Sequence, residues 1–285
     1  MQRILLGLGT IVFVGAVAVA STGAFFSDTE TSTGNTFTAG AIDLTVDSTQ
    51  HYNNAVCVNG TWQLFGENSP AVDQYPVIGS ACDGTWTATD LGVANKFFNF
   101  GDVKPGDQGE NTVSLHVENN PAYACVDIGT NQNNENTLIE PEATAGDITS
   151  DPNGGELAQN ITMFAWLDNA STSGAVVGDN IWQAGEPILQ QPVALSALSA
   201  TTTLTLADGA NGTPLPGGTT SYIGLAWCAG TLTIGAPGSW SCNGASMGNT
   251  TQTDSVLATV QFRVEQARNN SAFRCVPQLV EQVQG

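Results

Sequence analysis

A chain of 285 residues with 41% hydrophobic and only 11% charged side chains is too apolar and too lightly charged to stay disordered. It holds enough material for one large β-sandwich or two small domains. Six Lys and Arg face 26 Asp and Glu, a net charge of −20. Such a surface repels nucleic acid and anionic lipid headgroups, which excludes both as natural partners, and it attracts divalent cations.

In chain order, Arg3 precedes an apolar run from Ile4 to Ala20, and the small residues Ser21, Thr22, Gly23 and Ala24 follow. Charged start, apolar core and small-residue exit are the layout of a secretory signal over residues 1–24. The same run, at about 17 residues, also sits at the short limit for a retained membrane anchor. General small-residue rules allow cleavage after Ala20 or after Ala24. No second apolar run of spanning length follows, so no membrane tether is expected after cleavage.

Residues 25–37 open with Phe25 and Phe26. They continue as a polar, Thr-rich stretch through Ser27, Asp28, Thr29 and Glu30 to Phe37. The stretch extends easily and has little with which to bury itself, so 25–40 reads as an extended N-terminal segment. From residue 41 to 285 the pattern predicts a single β domain. Ile42, Leu44 and Val46 alternate as a half-buried strand over 41–47. Residues 48–96 read as an elaborated loop. Lys104-Pro105-Gly106-Asp107 suits a type II turn, with Pro second and Gly third. Val113, Leu115 and Val117 mark the next strand (112–118), and 122–128 another. Residues 129–158, rich in Asn, Glu, Gly and Pro, read as a second inserted surface loop.

Further strands are expected at 161–167, 202–206, 222–227 and 256–264, with one or two helical turns at 194–200. In the last strand Val256, Ala258, Val260, Phe262 and Val264 share one face, and Thr259, Gln261 and Arg263 the other. Strands separated by turn signals and almost no helix give an all-β fold. The form expected is an antiparallel, jelly-roll-like β-sandwich with long disulfide-stapled loops. Cys57, Cys82, Cys125, Cys228, Cys242 and Cys275 in an exported chain read as three disulfides. Six cysteines allow fifteen pairings; proximity favours Cys57 with Cys82 and Cys228 with Cys242, leaving Cys125 with Cys275.

Catalytic patterns are weak. The chain has two histidines, His51 and His116, neither in a metal-binding spacing. Gly244-Ala245-Ser246-Met247-Gly248 matches G-x-S-x-G, but it lacks a strand-to-helix setting and no histidine follows it. One acidic stretch carries more. Asp168, then Asp179, Asn180 and Glu186, supply hard oxygens at short spacing, a set suited to a structural calcium ion. A polar hairpin loop accounts for the same residues without an ion.

Thr22-Gly23-Ala24-Phe25-Phe26-Ser27-Asp28, followed by Asn35-Thr36-Phe37-Thr38-Ala39-Gly40-Ala41-Ile42-Asp43-Leu44, resembles the N-terminus of TasA and camelysin-type proteins. Val103-Lys104-Pro105-Gly106-Asp107 and the strand Val113 to Asn120 resemble that family's turn and strand in the same order. The two stretches cover about a third of the chain. The resemblance implies cleavage between Ala24 and Phe25 by a dedicated signal peptidase, a jelly-roll domain, and assembly into biofilm-matrix or pilus-like fibres. It also implies that residues 25–37 are donated as a strand to the next subunit, with Phe25 or Phe26 filling a pocket. Camelysin-like proteins have been classed as metallopeptidases.

These readings converge on a secreted, cell-surface structural subunit and not an enzyme. Its partners would be further copies of itself, the signal peptidase and other matrix components; no cofactor is required, and calcium is the one candidate ion. The alternatives are a monomeric, calcium-stabilised surface-binding domain and a camelysin-like metallopeptidase.

Overall fold

The computed structural model describes residues 42–65, 75–169, 176–198, 202–210 and 213–277, with the backbone alone at Ser27, Asp28, Thr130 and Asn131. Ser27–Asp28 is strand β1. It is followed by β2 (Leu44–Tyr52), β3 (Ala55–Val58), β4 (Thr61–Leu64), β5 (Trp86–Thr89), β6 (Gln108–Val117) and β7 (Ala122–Asn134). Two short helices come next, α1 (Glu140–Ala145) and α2 (Leu157–Asn160). The remaining strands are β8 (Ile161–Leu167), β9 (Ile188–Ala194), β10 (Thr202–Ala207), β11 (Thr219–Ala229), β12 (Thr231–Ile234), β13 (Trp240–Asn243) and β14 (Ser255–Gln266).

All pairings among these strands are antiparallel. One sheet runs β4-β3-β2-β6-β11-β8-β9, with β5 against β2; the other runs β1-β14-β7-β10, and β12 and β13 form a separate ribbon. The chain changes sheet between β6 and β7, β7 and β8, β9 and β10, and β10 and β11, so the two sheets are wound together. This is an all-β antiparallel sandwich.

The alternation that marks the strands also makes the core. Leu44 and Val46 of β2, Val113, Leu115 and Val117 of β6, and Ile223 of β11 pack against Ala124 and Val126 of β7, Leu204 of β10 and Val264 of β14. The outer face of the larger sheet is covered as well. Phe164, Trp166, Ala226 and Cys228 are buried there beneath Trp182, Leu232 and Trp240. Gly224 stands directly opposite Trp166. A Cβ at that position would meet the indole at 2.1 Å, so the close approach requires glycine.

Disulfides join Cys57 to Cys82, Cys125 to Cys275 and Cys228 to Cys242. Three such bonds belong to an oxidising environment. Among the described residues no helix is long and apolar enough to cross a membrane.

Two stretches read as loops are partly sheet and helix. β2 runs on to Tyr52, and β3, β4 and β5 lie within 48–96. The strand is masked in sequence because its inward positions turn polar at Ser48 and Gln50, both 1% exposed. Gln50 Nε2 donates to Phe97 O (2.7 Å) and Asn111 Nδ2 to the same carbonyl (2.9 Å), so the buried amide nitrogens keep an acceptor. In the second stretch, β7 extends through residues 129–134 against β14, and α1 follows. The Lys104–Asp107 turn forms as expected. Asp107 N bonds Lys104 O at 3.0 Å, and Gly106 takes the positive φ of +88° that the third position of a type II turn requires.

Candidate functional site

The first candidate is the outer edge of β14. On its inner side β14 pairs with β7 along its whole length, from Ser255 opposite Asn134 to Gln266 opposite Ala122. On its outer side it receives β1, with Ser27 opposite Glu265 and Asp28 opposite Val264. Ser27 and Asp28 thus meet the domain by backbone pairing to one strand, a contact that depends little on side-chain identity. Of the residues proposed for the polymerisation strand, Ser27 and Asp28 stand on this edge. Phe25, Phe26, Thr29, Glu30 and Phe37, and the expected cleavage junction at Ala24, lie outside the described residues, as does the rest of the signal segment.

β14 is held firmly from its other sides. Val260, Phe262 and Val264 face the core. On the opposite face the Arg263 guanidinium clasps Asp127 of β7 through Nε and through Nη2 (3.1 Å to Oδ1), with 13% and 1% of the two side chains exposed. Thr203 Oγ1 also donates to Asp127. Arg263 Nη2 further reaches Val276 O at 2.9 Å, Phe273 stacks on Tyr123, and Cys275 is bonded to Cys125. The C-terminal stretch is therefore folded back over this sheet, and the acceptor strand is pre-organised.

The second candidate is the acidic loop between β8 and β9. Asp168, fully buried at the end of β8, accepts Gly178 N at Oδ1 (3.3 Å) and Asn180 N at Oδ2 (2.8 Å), and its carboxyl also meets that of Glu186. Glu186 Oε2 accepts Gln183 N (2.7 Å), while Glu186 Oε1 and Asn180 Oδ1 are buried without a hydrogen-bond partner. Asn180 Nδ2 reaches Glu110 Oε2 at 3.3 Å, and Trp240 Nε1 donates to Glu110 Oε1 at 2.8 Å. Burial pushes the Asp168 carboxyl up to about 7, against the bond from Asn180 N and aided by Glu186. Burial raises Glu186 and Glu110 too.

Of the four residues proposed for calcium, Asp168, Asn180 and Glu186 come together. Asp179 turns instead to Ile181 N (3.0 Å) and Gln183 Nε2 (2.8 Å). Glu110 joins from β6, far away in sequence, where no local spacing marks it. Two unpartnered acceptor oxygens beside a buried carboxylate suit a hard cation, and the same carboxyls sharing a proton would serve as a loop staple.

The histidines stand apart. Across the β2–β6 ladder His51 is opposite Glu110 and His116 opposite Thr45, which is six positions along the strands, or roughly 20 Å. No single metal can take both. His116 Nε2 pairs with Asp47 Oδ2 at 2.6 Å and its Nδ1 with Thr220 Oγ1 at 3.0 Å. His51 packs edge-on to Phe65, and burial lowers its pKa. Ser246 lies in a 3-10 turn after β13, its Oγ hydrogen-bonded to Thr231 Oγ1 at 3.2 Å.

Fold and site define a disulfide-bonded antiparallel sandwich in which Ser27 and Asp28 pair along the outer edge of β14. No protein-family model and no curated protein matches the chain.

Proposed function

We propose that this chain is an exported structural subunit of extracellular fibres. Subunits join head to tail when residues 25–37 of one add as a strand to the outer edge of β14 in the next. The observation that carries this reading is the pairing of Ser27 and Asp28 with Val264 and Glu265. An edge that accepts its own N-terminal segment can accept the same segment from another copy, which is the logic of strand exchange. Because the donor and acceptor surfaces differ, repetition does not close and a filament grows.

The lengths agree. Carried along the edge, the register of β1 would bring Phe37 opposite Ser255, so 25–37 matches the twelve residues of β14. Roughly a dozen ladder bonds at about 1 kcal/mol each are nearly offset by ordering the same residues at about 1–2 kcal/mol each. Burial of phenylalanines at about 2–3 kcal/mol apiece therefore decides the balance. The β1 register sets Asp28 opposite core-facing Val264. A slip of one residue sets threonines and Phe37 on the core side instead, and the donated strand is expected to take that register.

The test is electron microscopy of the chain starting at Phe25 beside a chain lacking residues 25–37. Filaments from the first and single particles from the second are expected, with no filaments from the short form at any concentration. Single particles from both would overturn the proposal. They would favour a monomeric, cation-stabilised surface-binding domain, the reading that the unpartnered oxygens of Asn180 and Glu186 support.

A further inference from the structure

A second group of carboxylates, apart from both candidates above, gathers where β7 and β14 end side by side. Glu135 follows β7, Glu142 is on α1, Asp147 follows that helix, Glu156 precedes α2, and Asp254 precedes β14. One oxygen each from Glu135, Asp147 and Glu156 lie within 4.8 Å of one another, and so do those from Glu135, Glu142 and Asp254. Oxygens bound to one calcium ion at about 2.4 Å lie no more than about 4.8 Å apart.

Glu135 belongs to both groups. It is 7% exposed, and neither of its oxygens receives a hydrogen bond from an N–H or hydroxyl group, although its carboxyl meets that of Asp254. Asp147, 6% exposed, uses Oδ1 for Thr149 N and leaves Oδ2 unpartnered. Asp254 uses Oδ2 for Glu156 N and Leu157 N and leaves Oδ1; Glu156 Oε2 is also left. Glu142 accepts Ile139 N through Oε2 and Thr253 Oγ1, at 3.4 Å, through Oε1. Backbone bonds thus fix Glu142, Asp147 and Asp254 in place, while oxygens of Glu135, Asp147, Glu156 and Asp254 stay without a donor.

Among the described residues no Lys, Arg or His is paired with any of the five; the ion pairs use Asp102, Asp47 and Asp127. Ionised carboxylates this close and this buried need a counter-charge. We infer that these five residues form a calcium site in which Glu135 is the shared ligand. The set is all oxygen, which suits calcium and offers nothing to a metal that prefers nitrogen or sulfur. Burial and the charges of Asp254, Glu142, Asp147 and Glu156 hold the Glu135 carboxyl up at about 7. Bound there, calcium ties α1 and the 147–156 stretch to the ends of β7 and β14.

The experiment uses the chain from Phe25 to Gly285, stripped with EGTA and desalted. Calcium is then followed by titration calorimetry and by thermal unfolding, in the parent, in Glu135→Gln and in Asp168→Asn. Binding is expected in the parent, with Tm rising by about 5–10 °C at a hundredfold excess over Kd. One binding step should vanish in Glu135→Gln and persist in Asp168→Asn. The melting order should also cross: in EGTA the Glu135→Gln chain melts at or above the parent, and in calcium below it. Should Glu135→Gln fail to fold, Asp147→Asn takes its place. No calcium retained by the parent overturns the site whatever the variants do. So does binding unchanged in Glu135→Gln, or lost only in Asp168→Asn.

Discussion

Replacing Cys125 and Cys275 together by alanine is expected to lower the free energy of unfolding by about 5 kcal/mol, the largest loss from any of the three disulfides. This bond closes a loop of 150 residues, against 25 for Cys57–Cys82 and 14 for Cys228–Cys242. In the chain-entropy account the shorter loops are each worth about 3–3.5 kcal/mol. The longer bond also pins the C-terminal stretch. Without it the Tyr123–Phe273 stack and the Arg263–Val276 bond lose their anchor. Calorimetry should find Tm lower by about 10–20 °C. A loss no greater than that of a Cys228→Ala/Cys242→Ala chain would contradict the clamp. Because the stretch lies over the sheet that contains β14, filament formation should weaken in the same variant even below its melting temperature.

Asp127→Ala is the second large effect, about 3–5 kcal/mol. Its carboxylate is 1% exposed and is the counter-charge of an Arg263 side chain that is only 13% exposed. Removing the carboxylate strands a guanidinium on the covered face of β14, with Val276 O as its remaining partner in that contact. Replacing both residues by apolar ones, Asp127→Leu with Arg263→Met, should recover most of the loss, since a buried ion pair gives little net stability over good packing. Urea unfolding of the three chains decides it. A double variant as unstable as Asp127→Ala would mean that the pair contributes through geometry that apolar groups cannot supply. Asp127→Ala is also expected to raise the concentration needed for assembly, because it loosens β14 from β7.

The strands most legible in the sequence are those whose apolar residues alternate without interruption. The end of β6 and β14 read directly, because Val113, Leu115 and Val117, or Val260, Phe262 and Val264, all face one core; β8 reads as a continuous apolar run and is buried on both faces. The end of β2 was hidden because Ser48 and Gln50 occupy core-facing positions, where bonds such as that from Gln50 to Phe97 satisfy them. β3, β4 and β5 are four residues each, too short for a period to show. The aromatic cluster beside them forms only in space, where Trp62, Tyr75, Phe100 and Trp227 from separate segments meet around Tyr52. In β7, residues 129–134 carry no apolar alternation, and pairing with β14 alone makes them strand.

The sites divide in the same way. Asp168, Asn180 and Glu186 lie close enough in sequence for their convergence to be expected. Glu110 reaches them from another strand, and nothing local announces it. Glu135, Glu142, Asp147 and Glu156 sit in a stretch whose composition says surface, since acidic loop residues are usually solvated. Asp254, 98 residues beyond Glu156, closes the group only when β14 pairs with β7. Pairwise proximity in the fold carries that information, and spacing along the chain does not.

A density map of the filament decides whether strands are donated between subunits. Residues 25–37 of one subunit are expected to form a strand lying antiparallel along Ser255–Gln266 of the next, with Phe37 on the core side. A filament whose β14 edges each carry their own subunit's Ser27 and Asp28, with subunits joined through some other surface, would contradict it.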